Sequence, residues 1–204
     1  FGSEGLYCLD FHGEVLWSRS LGLLDSGYFK MPSAQWGFAS SPAIHGDRVI
    51  VQCDVLKDSF LASLDLATGK DVWRVSREDV PTWSTPAILQ IADKPTQIIV
   101  NGFRHIGAYD FLTGKEVWKL EGGGDIPVPT PIFGHGLIYI TNAHGKMSPI
   151  YAIPMGAQGS LNPEDDPSSI SWWTRRGGNY MQTPILVGDF LFACSDFGIL
   201  SCFD

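Results

Sequence analysis

The sequence lacks the features that mark membrane-spanning, nucleic-acid-binding and zinc-binding proteins. Its 204 residues contain no apolar run of the roughly 18 residues that a membrane span needs. Lys and Arg number 14 against 22 Asp and Glu, and the net charge of −8 argues against a nucleic-acid-binding surface. The 4 Cys and 5 His include no Cys-x-x-Cys or His-x-x-x-His spacing. We therefore expect no membrane span, no nucleic-acid partner and no metal centre.

Long amphipathic helical patterns are also missing. Apolar periodicity is interrupted at short intervals by Gly, Pro or strict alternation, and the chain contains 23 Gly and 13 Pro. Aromatic residues make up 12% of the chain and include 7 Trp. This composition is typical of many short strands joined by tight turns, and it predicts an all-β protein.

One short sequence is written three times along the chain. Residues 65–73 read DLATGKDVW, residues 110–118 read DFLTGKEVW, and residues 10–17 give a shorter version, DFHGEVLW. A second motif recurs at a similar spacing. Ser-Pro or Thr-Pro stands at 41–42, 85–86, 130–131 and 183–184. Repeats spaced by about 45 residues are typical of β-propellers, in which each repeat is a four-stranded antiparallel blade.

The clearest repeat covers residues 83–121 and predicts four strands in series. These strands are expected at 85–90, 97–101, 106–110 and 115–120. In the turn before the fourth strand, the Asp110 carboxylate should accept backbone hydrogen bonds and Gly114 should take a positive φ. Trp118 follows on the outer strand, where its ring can cover the seam to the next blade. The repeated Asp residues are therefore interpreted as structural and not as catalytic.

The repeat divides the chain into blades. We expect a single propeller domain over residues 1–204, with three complete blades and two partial ones. The complete blades are 36–78, 83–121 and 127–176, and the partial blades are 1–24 and 180–204. The first partial blade should hold the end of a second strand followed by a third and a fourth. Asp204 falls where the repeated Asp is due, so the chain is expected to be an excerpt of a larger propeller with open blade edges.

The repeat resembles that of a known family. Residues 108–118, AYDFLTGKEVW, and residues 63–73, SLDLATGKDVW, look like the tryptophan-docking repeat of the pyrroloquinoline-quinone (PQQ) repeat propellers. The resemblance implies closure with seven or eight blades and an extracytoplasmic, periplasmic or envelope location in bacteria. The family includes quinoprotein alcohol dehydrogenases and the propeller lipoprotein of outer-membrane assembly. The chain looks closer to the lipoprotein type.

Three functions are consistent with this resemblance. The first is a non-catalytic scaffold in the cell envelope, which binds other proteins through loops or open blade edges. The second is a fragment of a PQQ-dependent alcohol or sugar dehydrogenase, for which the resemblance implies PQQ and Ca²⁺ as cofactors. The third is a sensor domain of a larger signalling protein. The adjacent Cys-Cys pair found at the cofactor site of many quinoprotein dehydrogenases is not present, and the scaffold is favoured over an enzyme.

Candidate binding residues are sought where the repeat fails. Residues 25–36 form an extra segment, an insert at 156–169 replaces the third docking turn, and residues 172–182 lead into the last blade. Aromatic and amide groups just before each Ser/Thr-Pro motif can face the channel mouth and bind a small ligand, with blade packing as the alternative. A double arginine nearby can bind a carboxylate or phosphate, or pair with neighbouring acids. The candidates are Trp36, Trp83, Arg175, Arg176, Tyr180 and Gln182.

Other conspicuous residues support weaker hypotheses. The acidic residues 164–166 lack the alternating spacing of a calcium loop, so a solvated turn is preferred. His105 and His144 both follow second strands and are the only pair of histidines that could approach each other across blades, but without metal-ligand spacing a metal site is not favoured. Cys194 and Cys202 flank Gly198 at equal distance, and a three-residue turn would place them opposite each other for a disulfide. No acid–base or nucleophile set is apparent, so no catalytic residue is assigned.

Overall fold

Residues 5–204 fold into short strands and turns, apart from one 3-10 turn at Pro167–Ser169. The structure is a computed structural model that describes residues 5–204. Within these residues the strands are β1 (Leu6–Leu9), β2 (Val15–Arg19), β3 (Gly27–Tyr28), β4 (Met31–Gln35), β5 (Ala43–His45), β6 (Arg48–Cys53), β7 (Phe60–Asp65), β8 (Asp71–Ser76), β9 (Ala87–Leu89), β10 (Gln97–Val100), β11 (Ile106–Asp110), β12 (Glu116–Leu120), β13 (Ile132–Gly134), β14 (Leu137–Thr141), β15 (Ile150–Pro154), β16 (Gly159–Leu161), β17 (Trp172–Thr174), β18 (Ile185–Val187), β19 (Phe190–Cys194) and β20 (Leu200–Phe203). In the same range no helix is long and apolar enough to cross a membrane.

Three sheets contain the four antiparallel strands expected of a blade. They are β5–β6–β7–β8, β9–β10–β11–β12 and β13–β14–β15–β17. A two-stranded sheet, β1–β2, precedes them and a three-stranded sheet, β18–β19–β20, follows. The predicted all-β class, with three complete and two partial blades, is confirmed. The strand end expected before Gly5 lies outside the described residues.

The core lies between successive sheets. In each complete sheet the second and third strands are almost wholly buried, whereas the first and fourth are mostly half-buried or exposed, apart from Leu89, Trp118 and Leu120 of the second sheet. Ile99 and Ile106 of the second sheet pack with Ile138 and Ile140 of the third. Inner strands are therefore rich in β-branched residues, which fit a surface that is buried on both faces.

A tryptophan contact joins neighbouring sheets. The indole N–H of Trp73 in the first complete sheet donates to the carbonyl of Phe111 in the second, at 3.1 Å. Trp17 makes the same bond to Leu66 at 3.0 Å. Gly114, at φ +71°, lies beneath the Trp73 ring, so close that a Cβ would come within 2.7 Å of it. Only Gly fits this position without strain.

The repeated Asp residues close the turns that carry these glycines. The Oδ1 atom of Asp110 accepts the backbone N–H of Thr113 at 2.8 Å and its hydroxyl at 2.6 Å. Asp65 makes the same bonds to Thr68, and the hydroxyl bond lowers the pKa of Asp65. Asp10 accepts two backbone N–H bonds in its shorter turn. All three carboxylates serve the turns, as the repeat predicts.

The insert at 156–169 adds a strand to the preceding sheet. Its β16 runs parallel to β12, with Gly159 opposite Trp118 and Leu161 opposite Leu120. The second sheet therefore has five strands. Because the docking turn is missing here, the Nε1 atom of the buried Trp118 has no hydrogen-bond partner within residues 5–204. The sequence predicted the insert but not this strand.

Trp172 takes the docking position of the third sheet. It stands opposite Ala152, as Trp118 stands opposite Ala108 in the second sheet. Its ring stacks on Phe203 of the next sheet, with 6.1 Å between ring centroids. The tryptophan contact therefore persists where the Asp-x-x-Thr-Gly turn is absent.

The two cysteines near Gly198 are not bonded. The register of β19 and β20 pairs Cys194 with Leu200 and Cys202 with Phe192. The turn is closed by a hydrogen bond between Ser195 and Ile199 at 2.9 Å, which offsets the two cysteines by two residues. All four cysteines of the chain lie in the described range and are free. The disulfide considered from the sequence is not formed.

Candidate functional site

One end of the sheets collects two of the three segments in which the repeats differ, residues 25–36 and the part of 172–182 that follows β17. Strands two and four of an antiparallel sheet run towards the same end, so the loops after strand two and the connections into the next first strand lie there together. The Asp-x-x-Thr-Gly turns lie at the opposite end. We call the first end the mouth face, formed by residues 22–42, 77–86, 101–105, 121–131, 142–149, 175–184 and 195–199.

Five rings form a continuous row across the mouth face. In order they are Trp83, Trp36, Tyr28, His144 and Tyr180, and their successive centroids are 5.3, 5.5, 5.7 and 5.8 Å apart. We call this the aromatic row. The structure thus links three of the predicted binding residues, Trp36, Trp83 and Tyr180. The two rings that connect them, Tyr28 of the extra segment and His144 of the loop after β14, were not among the predicted binding residues.

The two tryptophans of the row differ in how firmly they are held. The indole N–H of Trp83 donates to the carbonyl of Gly37 at 2.8 Å, and its backbone N–H donates to Pro127 at 2.9 Å. Trp36 packs between Trp83 and Tyr28 yet remains 52% exposed. Trp83 therefore anchors the row, and Trp36 presents an aromatic face to solvent.

Asp125 is a buried carboxylate that ties the hairpin β3–β4 to the loop after β14. Its Oδ2 atom accepts the Tyr28 hydroxyl at 3.0 Å and the Lys30 ammonium, and its Oδ1 atom accepts the Nδ1–H of His144 at 2.6 Å. The Asp125 side chain is only 2% exposed. We call these three bonds the Asp125 latch.

The latch keeps Asp125 ionised. Burial alone would raise the pKa of Asp125, but the hydrogen bonds from Lys30, His144 and Tyr28 outweigh burial and hold the pKa below its usual range. The hydrogen bond between Lys30 and Asp125 also raises the pKa of Lys30. A carboxylate whose oxygens are already occupied by three donors is poorly placed to act as a general base.

The loop after β14 is bent to reach this carboxylate. His144 and Gly145 both have positive φ, at +72° and +77°. A Cβ on Gly145 would come within 2.7 Å of the Asp125 carboxylate, so a side chain at that position would push the loop away. His144 tolerates its unfavourable backbone because its ring bond to Asp125 fixes it.

A second polar cluster is buried between the first two complete sheets, beneath the mouth face. Arg77 donates to Asp54 at 2.7 Å, to the Tyr109 hydroxyl at 2.7 Å and to the His105 carbonyl at 2.6 Å. The side chains of Arg77 and Asp54 are fully buried, and Gln52 donates to Asp54 at 2.7 Å. Each charge is compensated within the protein, so the cluster serves the structure.

Asp79 completes this cluster and shapes the loop after β10. It pairs with Arg77 at 3.4 Å and accepts the backbone N–H groups of Val80, Phe103, Arg104 and His105. Burial and the Asp54 carboxylate raise the pKa of Asp79 to about 6, against the opposing effect of Arg77 and these amides.

His105 and His144, the two histidines considered as a pair from the sequence, have separate partners. The Nε2 atom of His105 lies 2.5 Å from Glu116, and burial lowers the pKa of His105. His144 is bonded to Asp125 in the latch. Each histidine is bonded to a different carboxylate and fixes its own loop. The two therefore do not form a shared metal site.

Two cavities open on the mouth face beside the aromatic row. The first, of about 330 Å³, lies against Tyr180 and the loop after β19. The second, of about 450 Å³, lies between the hairpin β3–β4 and the loop after β14. Both are lined by Lys146 and Met147. The basic residues that line one or both are Lys30, Lys146, Arg175 and Arg176.

The repeats, the sheets and the docking tryptophans agree with one family. A family model described as outer membrane protein assembly factor BamB matches residues 2–204. The chain belongs to this family of PQQ-like repeat propellers.

Solved PQQ-like propellers share its fold. BamB from Moraxella catarrhalis superposes with a TM-score of 0.64 at 18% identity, over 99% of this chain and 56% of that one. Quinohemoprotein alcohol dehydrogenase from Comamonas testosteroni gives a TM-score of 0.65 at 14% identity, over 100% of this chain and 39% of that one. At these identities the likeness establishes the fold alone, since one fold serves many functions.

Another relative carries the name of an enzyme. Tetrathionate hydrolase from Acidithiobacillus ferrooxidans is 31% identical over 150 residues. The match covers 70% of this PQQ-like chain and 26% of the hydrolase. The chain thus spans about a quarter of that relative and little more than half of the BamB structure.

The remaining candidate residues of this PQQ-like propeller are scattered over the mouth face. Arg175 pairs with Glu164 at 2.8 Å and lies 5.5 Å above the ring of Trp173, while it also lines the larger cavity. Arg176 is exposed and lines the smaller cavity. Gln182 is exposed, accepts the Met181 N–H at 3.3 Å and lines neither cavity.

The carboxylates of the structure do not form a ligand set that fits the Ca²⁺ ion implied by the resemblance. No three His, Cys, Asp or Glu side chains converge to hold a metal in the part of the chain that the structure describes. The buried carboxylates of Asp54, Asp79 and Asp125 are each occupied by protein donors. In the acidic insert, Asp166 caps the 3-10 turn through Ser168 at 3.0 Å. A Ca²⁺ ion at any of these positions would have to displace a cation or a cap.

Proposed function

We propose that this PQQ-like propeller is a non-catalytic binding scaffold of the cell envelope, whose mouth face docks a partner protein or a small ligand. The aromatic row carries this proposal. Five rings in mutual contact cross successive sheets, and Trp36 is half exposed among them. Exposed aromatic clusters on a rigid frame are typical of interaction sites, because Trp and Tyr contribute most of the energy at interface hot spots.

The state of the polar groups supports a scaffold over an enzyme. The buried carboxylates at the mouth are held by Arg77, Lys30 and His144, and the cavities beside them are lined by four basic residues. A hydrolytic or dehydrogenase site needs a base within reach of a nucleophile or substrate proton. Asp54, Asp79 and Asp125 are occupied by protein hydrogen-bond donors and are poorly placed to be that base.

The envelope location rests on family membership. The matching family is described by an outer-membrane assembly factor, and that protein's role is assembly. We propose the same compartment and a protein partner for this chain. The partner would contact the mouth face through aromatic or apolar groups that pack on Trp36.

Site-specific photo-cross-linking tests this proposal. A photo-reactive amino acid in place of Trp36 is expected to trap a partner in cells that express the protein. The matched control is the same substitution at Leu112, which is 71% exposed in a docking turn at the opposite end. Adducts at both positions alike, or at Leu112 alone, would contradict a binding role for the mouth face.

Hydrolysis of an anionic sulfur compound is the second candidate. The tetrathionate hydrolase relative suggests it, and the four cations around the mouth cavities favour an anionic substrate. Loss of tetrathionate on incubation with the purified chain measures this activity directly. Dye-linked alcohol oxidation with added PQQ and Ca²⁺ measures the dehydrogenase alternative. Turnover in either assay would replace the scaffold proposal.

A further inference from the structure

We propose that the 450 Å³ cavity between the hairpin β3–β4 and the loop after β14 binds a small organic anion through Lys30, Lys146 and Arg175. The ligand class is a compound with a carboxylate, sulfate or phosphate group on a short apolar body. This inference rests on the proposed function, because the cavity opens beside the aromatic row and shares its hairpin.

The charge of the cavity lining is the first argument. Lys30, Lys146 and Arg175 come from three segments far apart in sequence, and Asp125 is the single acidic residue that lines the same space. The lining therefore carries an excess of two positive charges in a chain whose net charge is −8. Like charges that face one cavity repel each other, and an anion between them removes that cost.

Within the described residues the existing ion pairs leave one of the three cations without a partner. Asp125 is occupied by Lys30 and two other donors, and Glu164 contacts Arg175 from outside the cavity. Lys146 has no ion-pair partner among residues 5–204. Lys146 is therefore the cation most available to a ligand. Arg175 uses Nη2 for Glu164 and Nη1 for Met147, and a guanidinium has five N–H donors, so it can bind a ligand as well.

The rest of the lining defines the body of the ligand. Phe103 and Met147 supply apolar surface, and Gly122 and Gly123 supply backbone without side chains. A Cβ on Gly122 would find its nearest atom, the Tyr151 hydroxyl, 3.8 Å away, so the space there is open. A volume of this size is in the range of small-molecule sites, which combine apolar walls with a few polar groups.

Ligand binding should change the environment of the hairpin β3–β4, because Lys30 lies on that hairpin. The hairpin also carries Tyr28, which stacks on Trp36 of the aromatic row. The segment is flanked by Gly22 and Gly37, at φ +90° and +79° with open space around both. Tryptophan fluorescence is therefore a suitable readout besides the heat of binding.

The test is a titration of the purified chain with sodium succinate and, separately, with sodium sulfate. Sodium chloride at matched ionic strength corrects for screening. We expect saturable binding of at least one anion, detected by calorimetry and by Trp fluorescence. Lys146→Gln and Arg175→Gln should each weaken it about tenfold or more, as expected for the loss of a charged hydrogen bond. Succinate binding alone would identify a carboxylate ligand, and sulfate binding alone a sulfur or phosphorus oxyanion.

Lys115→Gln provides the matched control. Lys115 lines a cavity of about 440 Å³ at the docking-turn end, where acidic Asp110 and Glu116 also contribute. The inference is overturned if neither anion gives a response beyond that of chloride, or if Lys115→Gln weakens binding as much as Lys146→Gln. Unfolding midpoints confirm that the variants are folded. Cross-linking at position 36 that persists without anion binding leaves the proposed function standing and overturns this inference alone.

Discussion

Gly114 lies against the indole ring of Trp73 in the neighbouring sheet, with room for no side chain between them. A Cβ on Gly114 would come within 2.7 Å of the ring, and the residue has φ +71°. The substitution Gly114→Ala must therefore displace a ring that joins two sheets. We expect it to lower the free energy of unfolding in urea by about 1–3 kcal/mol beyond the backbone strain.

Gly136→Ala separates the two effects. Gly136 has φ +77° and nothing within 4 Å of an added Cβ, so only backbone strain of about 1–2 kcal/mol is expected. Equal losses for the two variants would show that the contact with Trp73 contributes nothing to the junction.

Arg77 should be far more important to stability than an exposed arginine. Arg77→Met leaves the buried carboxylates of Asp54 and Asp79 without their cation, and a loss of about 3–5 kcal/mol is expected. Arg19→Met breaks an exposed pair with Asp71, also at 2.7 Å, and should cost less than about 1 kcal/mol. Urea unfolding of both variants measures the difference, and similar losses would refute the structural role of the buried cluster.

The Asp125 latch should make stability depend on acid pH. The folded-state pKa of Asp125 is below its unfolded value, so its contribution is present above pH ~4 and is lost as the pH falls through the folded-state pKa. Asp125→Asn should therefore lose about 1–3 kcal/mol at pH 7, the size expected for charged hydrogen bonds. Below the folded-state pKa of Asp125 the variant and the original protein should converge.

Urea unfolding at several pH values checks this prediction. The control is Asp189→Asn, because the Asp189 side chain is 95% exposed and should change stability little at any pH. A difference between Asp125→Asn and the original protein that stays constant from pH 7 to acid would rule out the latch as the titrating element.

All four cysteines should react with a thiol reagent as free thiols. In denaturant a thiol reagent is expected to count 4, because the strand register keeps Cys194 and Cys202 apart. In the folded protein the exposed Cys202 should react quickly. Cys53 should react only on unfolding, since burial raises the pKa of its thiol. A count of two in denaturant without reductant would show a disulfide and a different register.

The repeat made most of the fold predictable. The strands of the second sheet lie within a residue or two of their predicted positions, because Pro86, Gly114 and the alternation around Trp118 mark their ends. The structural role of Asp110 followed from its turn chemistry. These features are local, so a single sequence contains them.

The candidate site was only partly predictable. Trp36, Trp83 and Tyr180 were recognised from their equivalent places in the repeat, and the structure joins them through Tyr28 and His144. Nothing local links those two residues to Asp125, since Tyr28 lies 97 residues and His144 lies 19 residues from it in sequence. Contacts of this range depend on how sheets are placed, which no short pattern records.

The strand β16 has a consequence for association with other chains. An outer strand such as β8 ends its sheet with a row of unpaired backbone groups, to which a foreign strand can add. On the second sheet the edge of the outer strand β12 is covered by β16, which pairs with Trp118–Leu120. In sequence β16 lies between β15 and β17 of the third sheet. The edge that remains belongs to a strand of 3 residues, too short to template an extended partner. An insertion that interrupts the repeat thus shields one sheet from aggregation.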